Sequence, residues 1–299
     1  MIKLQHIEML LAIEQAGSIR AAAKLLGKTQ PAVTKALRQA EAELNTAIFK
    51  RAPSGVAVTE EGTQVLRRAG IIRAELRKMQ EDVEQRSSAG TGQLNITVSP
   101  MAASRIVGGA IRRFKRRFPK VRVQITGGHE PMAFGPVRDG LVDLVIGPEP
   151  RAADTAGLTV AHLVDTPVAI IASNNSRWVN KTRLADLEGA DWLMIGTRAR
   201  LPYLQRHFIS RGLPPPDPMV TSDSITSILA MVEGGDVLCT FPALLLDIIE
   251  GRYKIRALAL EDPLSSSPIA LVTASERPPT PAVRYFSDCV LQVAQNEFG

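Results

Sequence analysis

AAAKLLGKTQPAVTKALRQAE, residues 21–41, reads as two helices joined by Gly27-Lys28-Thr29. Small Ala22 and Ala23 allow the helices to approach closely at a steep angle, while Leu26, Val33 and Leu37 supply the apolar contacts that hold the second against the first. Pro31 suits a first helical turn. The outward face of the second helix is then polar. Thr29, Gln30, Thr34, Lys35 and Arg38 can offer donors to base edges and phosphates beside a helix N-terminus, whose own N–H groups attract phosphate.

Upstream, Leu4, Ile7, Leu10, Leu11 and Ile13 fall at helical spacing, and Gly17-Ser18 ends that helix and caps the next. Downstream, FKRAPSGVAVTEEG (49–62) predicts a strand, a turn at Pro53-Ser54-Gly55, a return strand and a new helix start, the pattern of a two-stranded wing. The charge is concentrated here. Residues 1–58 carry eight Lys/Arg against four Asp/Glu, whereas 59–90 balance six against six and 91–299 hold 22 against 20. The first fifth of the chain is therefore the candidate polyanion-binding part.

From Thr59, a predicted N-cap, no strong breaker occurs before Ser87. Val65, Ala69, Ile72, Leu76, Met79 and Val83 alternate at spacings of four and three, the a/d seam of a coiled coil. With the linker Ser87-Ser88-Ala89-Gly90-Thr91-Gly92 immediately after it, this helix is expected to pair with a second copy of the chain. Beyond the linker, LNITVS (94–99), VRVQIT (121–126) and VDLVIG (142–147) read as strands, with a basic amphipathic helix at 102–118. Further strands are predicted at 167–173, 192–195, 219–221, 237–241, 255–260 and 269–273, and helices near 202–211, 224–233, 243–250 and 281–297. Pro148 to Pro150 and Pro263 to Pro268 are the places where the chain would cross between subdomains and return. In Arg112-Arg113-Phe114-Lys115-Arg116-Arg117, the phenylalanines Phe114 and Phe118 fit a core stripe, which leaves the charges on a solvated face.

These residues resemble the LysR-type transcriptional regulators, bacterial winged helix-turn-helix proteins with a long linker helix and a small-molecule-binding domain. Gly17-Ser18, Ala22-Ala23, Thr29-Gln30-Pro31-Ala32-Val33-Thr34, Glu41, Ile48-Phe49-Lys50-Arg51 and Val58-Thr59-Glu60-Glu61-Gly62 stand in the family's order and spacing. Departures are mild: threonines at 29 and 34 where serines are usual, Ile19 for a frequent Phe, Ala40 for Leu and Asn45 for Gly. Further on, the resemblance rests on element order and on TSDSITSILAMVEGGDVLCTFP (221–242).

The resemblance implies an all-α winged helix-turn-helix domain (1–58), a dimerising linker helix (59–86), a hinge (87–92) and a periplasmic-binding-protein-like α/β effector domain (93–299). The two effector subdomains would be 93–163 with 268–299, and 164–267. It implies a double-stranded DNA operator read by Gln30 and Thr34, base and phosphate contacts from Lys35 and Arg38 beside Thr29, and a phosphate contact from Arg51 in the wing. It also implies an effector in the interdomain cleft, a homodimer that can extend to a tetramer, and RNA polymerase as a partner the regulator class allows.

In open α/β sheets ligands sit at the carboxyl ends of strands, which selects Ser99, Met101, Gly128, His129, Thr197, Thr221 and Ser222 as effector contacts, each with an ordinary loop role as its alternative. Arg198 and Arg200 near that cleft suggest a small organic anion, an aromatic carboxylate or sulfonate.

No apolar run reaches the roughly 18–20 residues of a bilayer span, and residues 1–30 lack a signal-peptide pattern, so no membrane partner and a cytoplasmic location are expected. Cys239 and Cys289 lie in apolar stretches without metal or redox spacing, which discounts an oxidation sensor. Gly27-Lys28-Thr29 imitates a phosphate loop, but Ala22 stands where its first glycine is required. His129-Glu130 begins like a zinc-protease motif, but Ala133 replaces the second histidine. No catalytic residue, metal or cofactor is expected. The competing expectation is a cytoplasmic solute-binding or enzymatic α/β protein whose N-terminal helices serve assembly only.

Overall fold

A computed structural model describes residues 1–53, 55–86, 90–127, 134–196, 198, 201–249, 251–262 and 264–299, with the Tyr203 side chain excepted. The wing-turn residue Ser54, hinge residues 87–89 and Pro263 lie outside the described residues. The chain divides into two compact units, Met1–Val83 and Glu84–Gly299.

The first unit is built as the spacing predicts. Helix α1 (Leu4–Ala16) ends at Gly17, whose φ of 66° lets its N–H reach the Ile13 carbonyl at 3.0 Å. Ser18 then caps α2 (Ile19–Leu25) by accepting from the Ala21 N–H at 3.1 Å. Helix α3 (Gln30–Leu44) is capped by Thr29 and closes at Asn45, which takes the left-handed conformation at φ 50°. Ala22, Ala23, Val33 and Leu37 are buried in the shared core, with Leu26 packed on it.

The wing, β1 (Phe49–Ala52) antiparallel to β2 (Gly55–Val58), packs Phe49, Val56 and Val58 on the core and is fastened by polar groups as well. The Glu41 carboxylate accepts from the backbone N–H of Ile48 at 2.8 Å and of Phe49 at 3.3 Å. Thr59 Oγ1 donates to the Ala47 carbonyl at 2.7 Å and accepts from the Gly62 N–H at 2.9 Å. A Cβ at Gly62 would stand 2.1 Å from the Ile48 oxygen, so only glycine lets α4 (Glu60–Arg86) start against that backbone. Leu66 and Ala69 of α4 join the core, but Ile72, Met79 and Val83 of the predicted seam are 43, 61 and 65% exposed.

In the second unit one nine-stranded sheet is covered on both faces. Its path runs β4 (Arg122–Gly127), β3 (Gln93–Val98), β5 (Leu144–Pro148), β11 (Leu264–Ala274), β6 (Leu158–Ser173), β9 (Val237–Pro242), β7 (Asp191–Ile195) and β8 (Val220–Ser222), with β10 (Ile255–Ala257) paired to β6. Each end of the sheet is parallel, and the two halves share the antiparallel pair β6 and β11.

The chain passes between the halves on these two long strands, β6 after the crossing expected at Pro148 to Pro150 and β11 through the one expected at Pro263 to Pro268, so the strands predicted at 167–173 and 269–273 start earlier, at Leu158 and Leu264. Pro167, which lacks an N–H, falls where the β6–β11 register is irregular, opposite the stretch between Leu264 and Ser267, whereas Pro268 is paired in register with Asp165.

On one face pack α5 (Pro100–Ala102), a π-helical turn (Ala103–Val107), α6 (Gly108–Arg117) and α11 (Pro281–Phe298). Phe114 is fully buried and meets Phe118 and Phe286, both at 5.4 Å, so the basic run around it belongs to a packed amphipathic helix. Short α7 (Phe134–Arg138) lies against β5 and β11. In the other half, α8 (Leu201–Ile209), α9 (Ile225–Gly234) and α10 (Leu246–Ile249) cover β6, β7 and β9. Among the described residues no helix is long and apolar enough to cross a membrane.

Candidate DNA interface and effector cavity

Helix α3 and the wing carry an exposed polar row on the N-terminal unit. Thr29, Gln30, Lys35 and Arg38 are exposed, as is Arg51 on the wing. Thr34 is half-buried, and its hydroxyl donates to the Gln30 carbonyl at 2.9 Å. With its proton so engaged, Thr34 can only accept from a base or offer its methyl group. Thr29 Oγ1 caps the helix by accepting from the Ala32 N–H at 3.4 Å, which places it at the helix mouth as a fastening of α3. Glu41, Thr59 and Gly62 all turn inward onto backbone, so they build the wing and leave its outer surface to Lys50 and Arg51.

The second unit contains a cavity of about 130 Å³ between its two halves. A cavity of roughly 150 Å³ accepts a benzene ring, so this space suits a single-ring or short-chain molecule. Ser99, Met101, Pro148, Met194 and Ile195 reach it from the carboxyl ends of β3, β5 and β7. Ser99 is buried, and its Oγ accepts from the Ala102 N–H at 3.3 Å. The crossing strands contribute Thr166 and Val168 from β6, and Ser265, Ser267 and Ile269 from β11. Alternation along extended strands puts every second residue on that wall. Thr240 comes from β9, and Arg206 and His207 come from α8.

Two of these groups are poised in an unusual way. Thr166 is 2% exposed, and its Oγ1 has no hydrogen-bond partner among the described residues. His207 is buried and its proton affinity is depressed from the ordinary 6.5 to about 4, first by desolvation and then by the neighbouring Arg206 and Arg211. No Asp or Glu lines the cavity among the described residues.

Of the expected effector residues, Ser99 and Met101 stand on this wall. Thr221 and Ser222 end β8 away from it. There Ser222 holds its own loop, with Oγ accepting from the Ser224 N–H at 3.2 Å and its carbonyl from the Gly196 N–H at 2.7 Å. Gly128, His129 and Thr197 lie outside the described residues, as do Arg200 and the His129-Glu130 motif. Arg198 is not a cavity cation. It pairs with Asp217 at 2.6 Å on the surface, and Arg206 is the arginine that reaches the wall.

Thr166, Thr240, Ser265 and Ser267 escape a rule that searches loops after strands, because they lie within strands. Their signal is polarity at alternate positions of otherwise apolar segments. Cys239 and Cys289 are both buried, and burial pushes the Cys239 thiol up to about 12, where it is neither nucleophile nor redox sensor. Among the described residues no cluster of His, Cys, Asp and Glu could hold a metal ion.

A winged helix-turn-helix with a basic exposed recognition face, attached to a two-halved α/β unit enclosing a small-molecule cavity, defines a ligand-responsive transcriptional regulator. Residues 4–63 match the family "Bacterial regulatory helix-turn-helix protein, lysR family", and residues 87–295 match the "LysR substrate binding domain". The chain belongs to the LysR family of transcriptional regulators.

It is 28% identical over 245 residues to the HTH-type transcriptional regulator TdcA of Escherichia coli (strain K12), covering 80% of this chain and 77% of that one. It is 24% identical over 290 residues to GbpR of Azospirillum brasilense, covering 95% and 84%. Among solved structures, the LysR family regulator CbnR superposes with a TM-score of 0.72 at 19% identity, covering 98% of this chain and 99% of that one, and CbnR in complex with its target DNA does so at 0.71 and 18%, covering 98% and 100%. These relatives are regulators rather than enzymes, which removes the expectation of N-terminal helices serving assembly alone.

Proposed function

We propose that the protein binds an operator as a homo-oligomer and that a small organic anion in the cavity of the C-terminal unit controls that binding or the promoter activation that follows it. The observation that carries the anionic reading is the cavity wall, to which Arg206 and a set of hydroxyls contribute and no Asp or Glu among the described residues does. An anion there gains charge-assisted hydrogen bonds, while a cation would be desolvated without a counter-charge. Subdomains 93–163 with 268–299 and 164–267 would close on it about the β6–β11 pair.

In this reading Gln30 and Thr34 face bases, Lys35 and Arg38 face bases and phosphates, and Arg51 faces phosphate, with Thr29 holding the helix mouth. Ser99 and Met101 contact the effector from the cavity wall, with Gly128, His129 and Thr197 as further proposed contacts, whereas Thr221 and Ser222 at the end of β8 are left out of the set. Dimerisation through α4 is supported by the exposed seam residues Ile72, Met79 and Val83, apolar groups that a second copy would cover. Tetramers and a contact with RNA polymerase extend the same scheme, which operates in the cytoplasm where the operator is.

The test is binding to DNA upstream of the protein's own gene, with nonspecific competitor at two salt concentrations and with small carboxylates or their amides added. Saturable, salt-sensitive binding altered by acids and not by amides is expected. A response to neutral compounds alone would refute the anionic effector, and salt-insensitive binding would refute the assignment of phosphate contacts.

A further inference from the structure

His207 and Thr166 line the cavity from different elements, α8 and the crossing strand β6. Both are buried, and Thr166 Oγ1 has no hydrogen-bond partner among the described residues. A buried hydroxyl left unpaired costs roughly 1–3 kcal/mol, so such a group is retained where a ligand completes it.

The surroundings of the imidazole fix what that ligand must bring. On its own side His207 feels the charges of Arg206 and Arg211, and its carbonyl already accepts from Arg211 Nη1 at 2.9 Å. The facing walls from β6, β9, β11 and the start of the Ser99 helix supply hydroxyls and apolar groups, with no carboxylate among the described residues. An imidazolium there has the charges of Arg206 and Arg211 on its own side and no carboxylate on the facing walls among the described residues. We propose that His207 is the proton-linked specificity residue of the effector site, taking up one proton from solvent when an effector carboxylate seats beside it and Thr166 Oγ1.

This rests on the reading of the cavity as an effector site. It adds that recognition is coupled to pH. The bare ring binds its proton only near pH 4, so it is neutral through the physiological range, and a carboxylate alongside raises its proton affinity. By linkage, each proton taken up on binding tightens the complex up to tenfold for each unit by which the pH falls, between the proton affinities of the bound and free states. A neutral isostere of the same shape gains nothing from the proton.

The probe is benzoate, which fits the cavity volume, with benzamide as its neutral counterpart. Calorimetry on the full chain between about pH 5.5 and about pH 7.5, where benzoate stays ionised, gives the affinity, and two buffers of different ionisation enthalpy give the proton count. Benzoate affinity rising towards tenfold per pH unit, uptake near one proton, and loss of both in His207→Gln while benzoate binding persists, are expected. Benzoate binding with flat pH dependence, or with uptake unchanged in His207→Gln, would overturn the assignment to His207 and leave the anionic reading standing. No binding of benzoate at either pH, or benzamide binding equally well, would overturn the anionic reading and this inference with it. Imidazole NMR provides an independent readout: a His207 ring still neutral at about pH 5.5 in saturating benzoate also overturns it.

Discussion

Glu41 and Thr59 in the N-terminal unit commit their polar atoms to backbone groups of their own fold, whereas in the C-terminal unit the Thr166 hydroxyl has no partner among the described residues at a cavity wall that the buried His207 also lines. The first arrangement fastens a wing and leaves a separate outer row of side chains exposed for the proposed recognition. In the second, groups buried as deeply as core residues are the ones open to a ligand. Function and stability are thus separable by residue in one unit and opposed within single residues in the other.

The largest effect that sharpens this contrast is structural and confined to the first unit. Gly62→Ala sets a Cβ against the Ile48 oxygen, backbone that cannot rotate away, and is expected to cost about 3 kcal/mol or more. Hydrogen exchange should show lost protection across Met1–Val83 with Glu84–Gly299 unaffected. Protection unchanged in the first unit would mean that the wing is not fixed by this contact.

Next come the outer residues of the same unit, where the opposite behaviour is expected. Arg38→Ala should weaken operator affinity by about 1–3 kcal/mol, and Arg51→Ala should weaken it uniformly across sequences while reducing the slope of log affinity against log salt by about one. Both variants should melt with the parent, since both side chains are exposed. A fall in melting temperature matching the loss of binding would erase the separation between fastening and recognition.

Legibility follows the same division. Ala22, Ala23, Val33 and Leu37 are buried as the helical spacing requires, and the polar remainder of α3 is outside, because a short local motif determines its own faces. The cavity is assembled from β3, β5, β6, β7, β9, β11 and α8, joining residues more than 160 positions apart such as Ser99 and Ser267. Ser99 and Met101 could be selected because they follow a strand. Thr166 could not, since the strand predicted at 167–173 begins one residue after it, and only the pairing with β11 extends β6 back to Leu158. Arg198 and Arg206 are equally basic in sequence, and only the position of Asp217 shows which one is turned away.

A third, intermediate effect is expected on varying pH. In the unfolded chain His207 takes a proton near 6.5, and in the fold near 4, so the unfolded state binds more protons between those values. The stability contributed by the neutral ring is complete above 6.5 and is lost as pH falls towards 4. Melting temperature should drop across that window, and the difference between the parent and His207→Gln should isolate this residue from titrating carboxylates. A parallel pair of curves would show that His207 is protonated alike in both states.

The smallest effect has the most direct bearing on the contrast. Thr166→Val keeps the branched shape that suits a strand and removes a buried hydroxyl that has no partner among the described residues. Substitution by an apolar group relieves a desolvation penalty, so the unliganded protein should be unchanged or more stable by up to about 1 kcal/mol. The same change applied to Thr59, whose hydroxyl joins the Ala47 carbonyl to the Gly62 N–H, should destabilise by about 1–2 kcal/mol, as for other lost helix caps. Two identical substitutions of opposite sign, read by denaturant unfolding, separate a hydroxyl that builds from one that waits. Effector affinity of Thr166→Val should fall even as its stability holds. Destabilisation by Thr166→Val would instead mean that its hydroxyl already serves the fold.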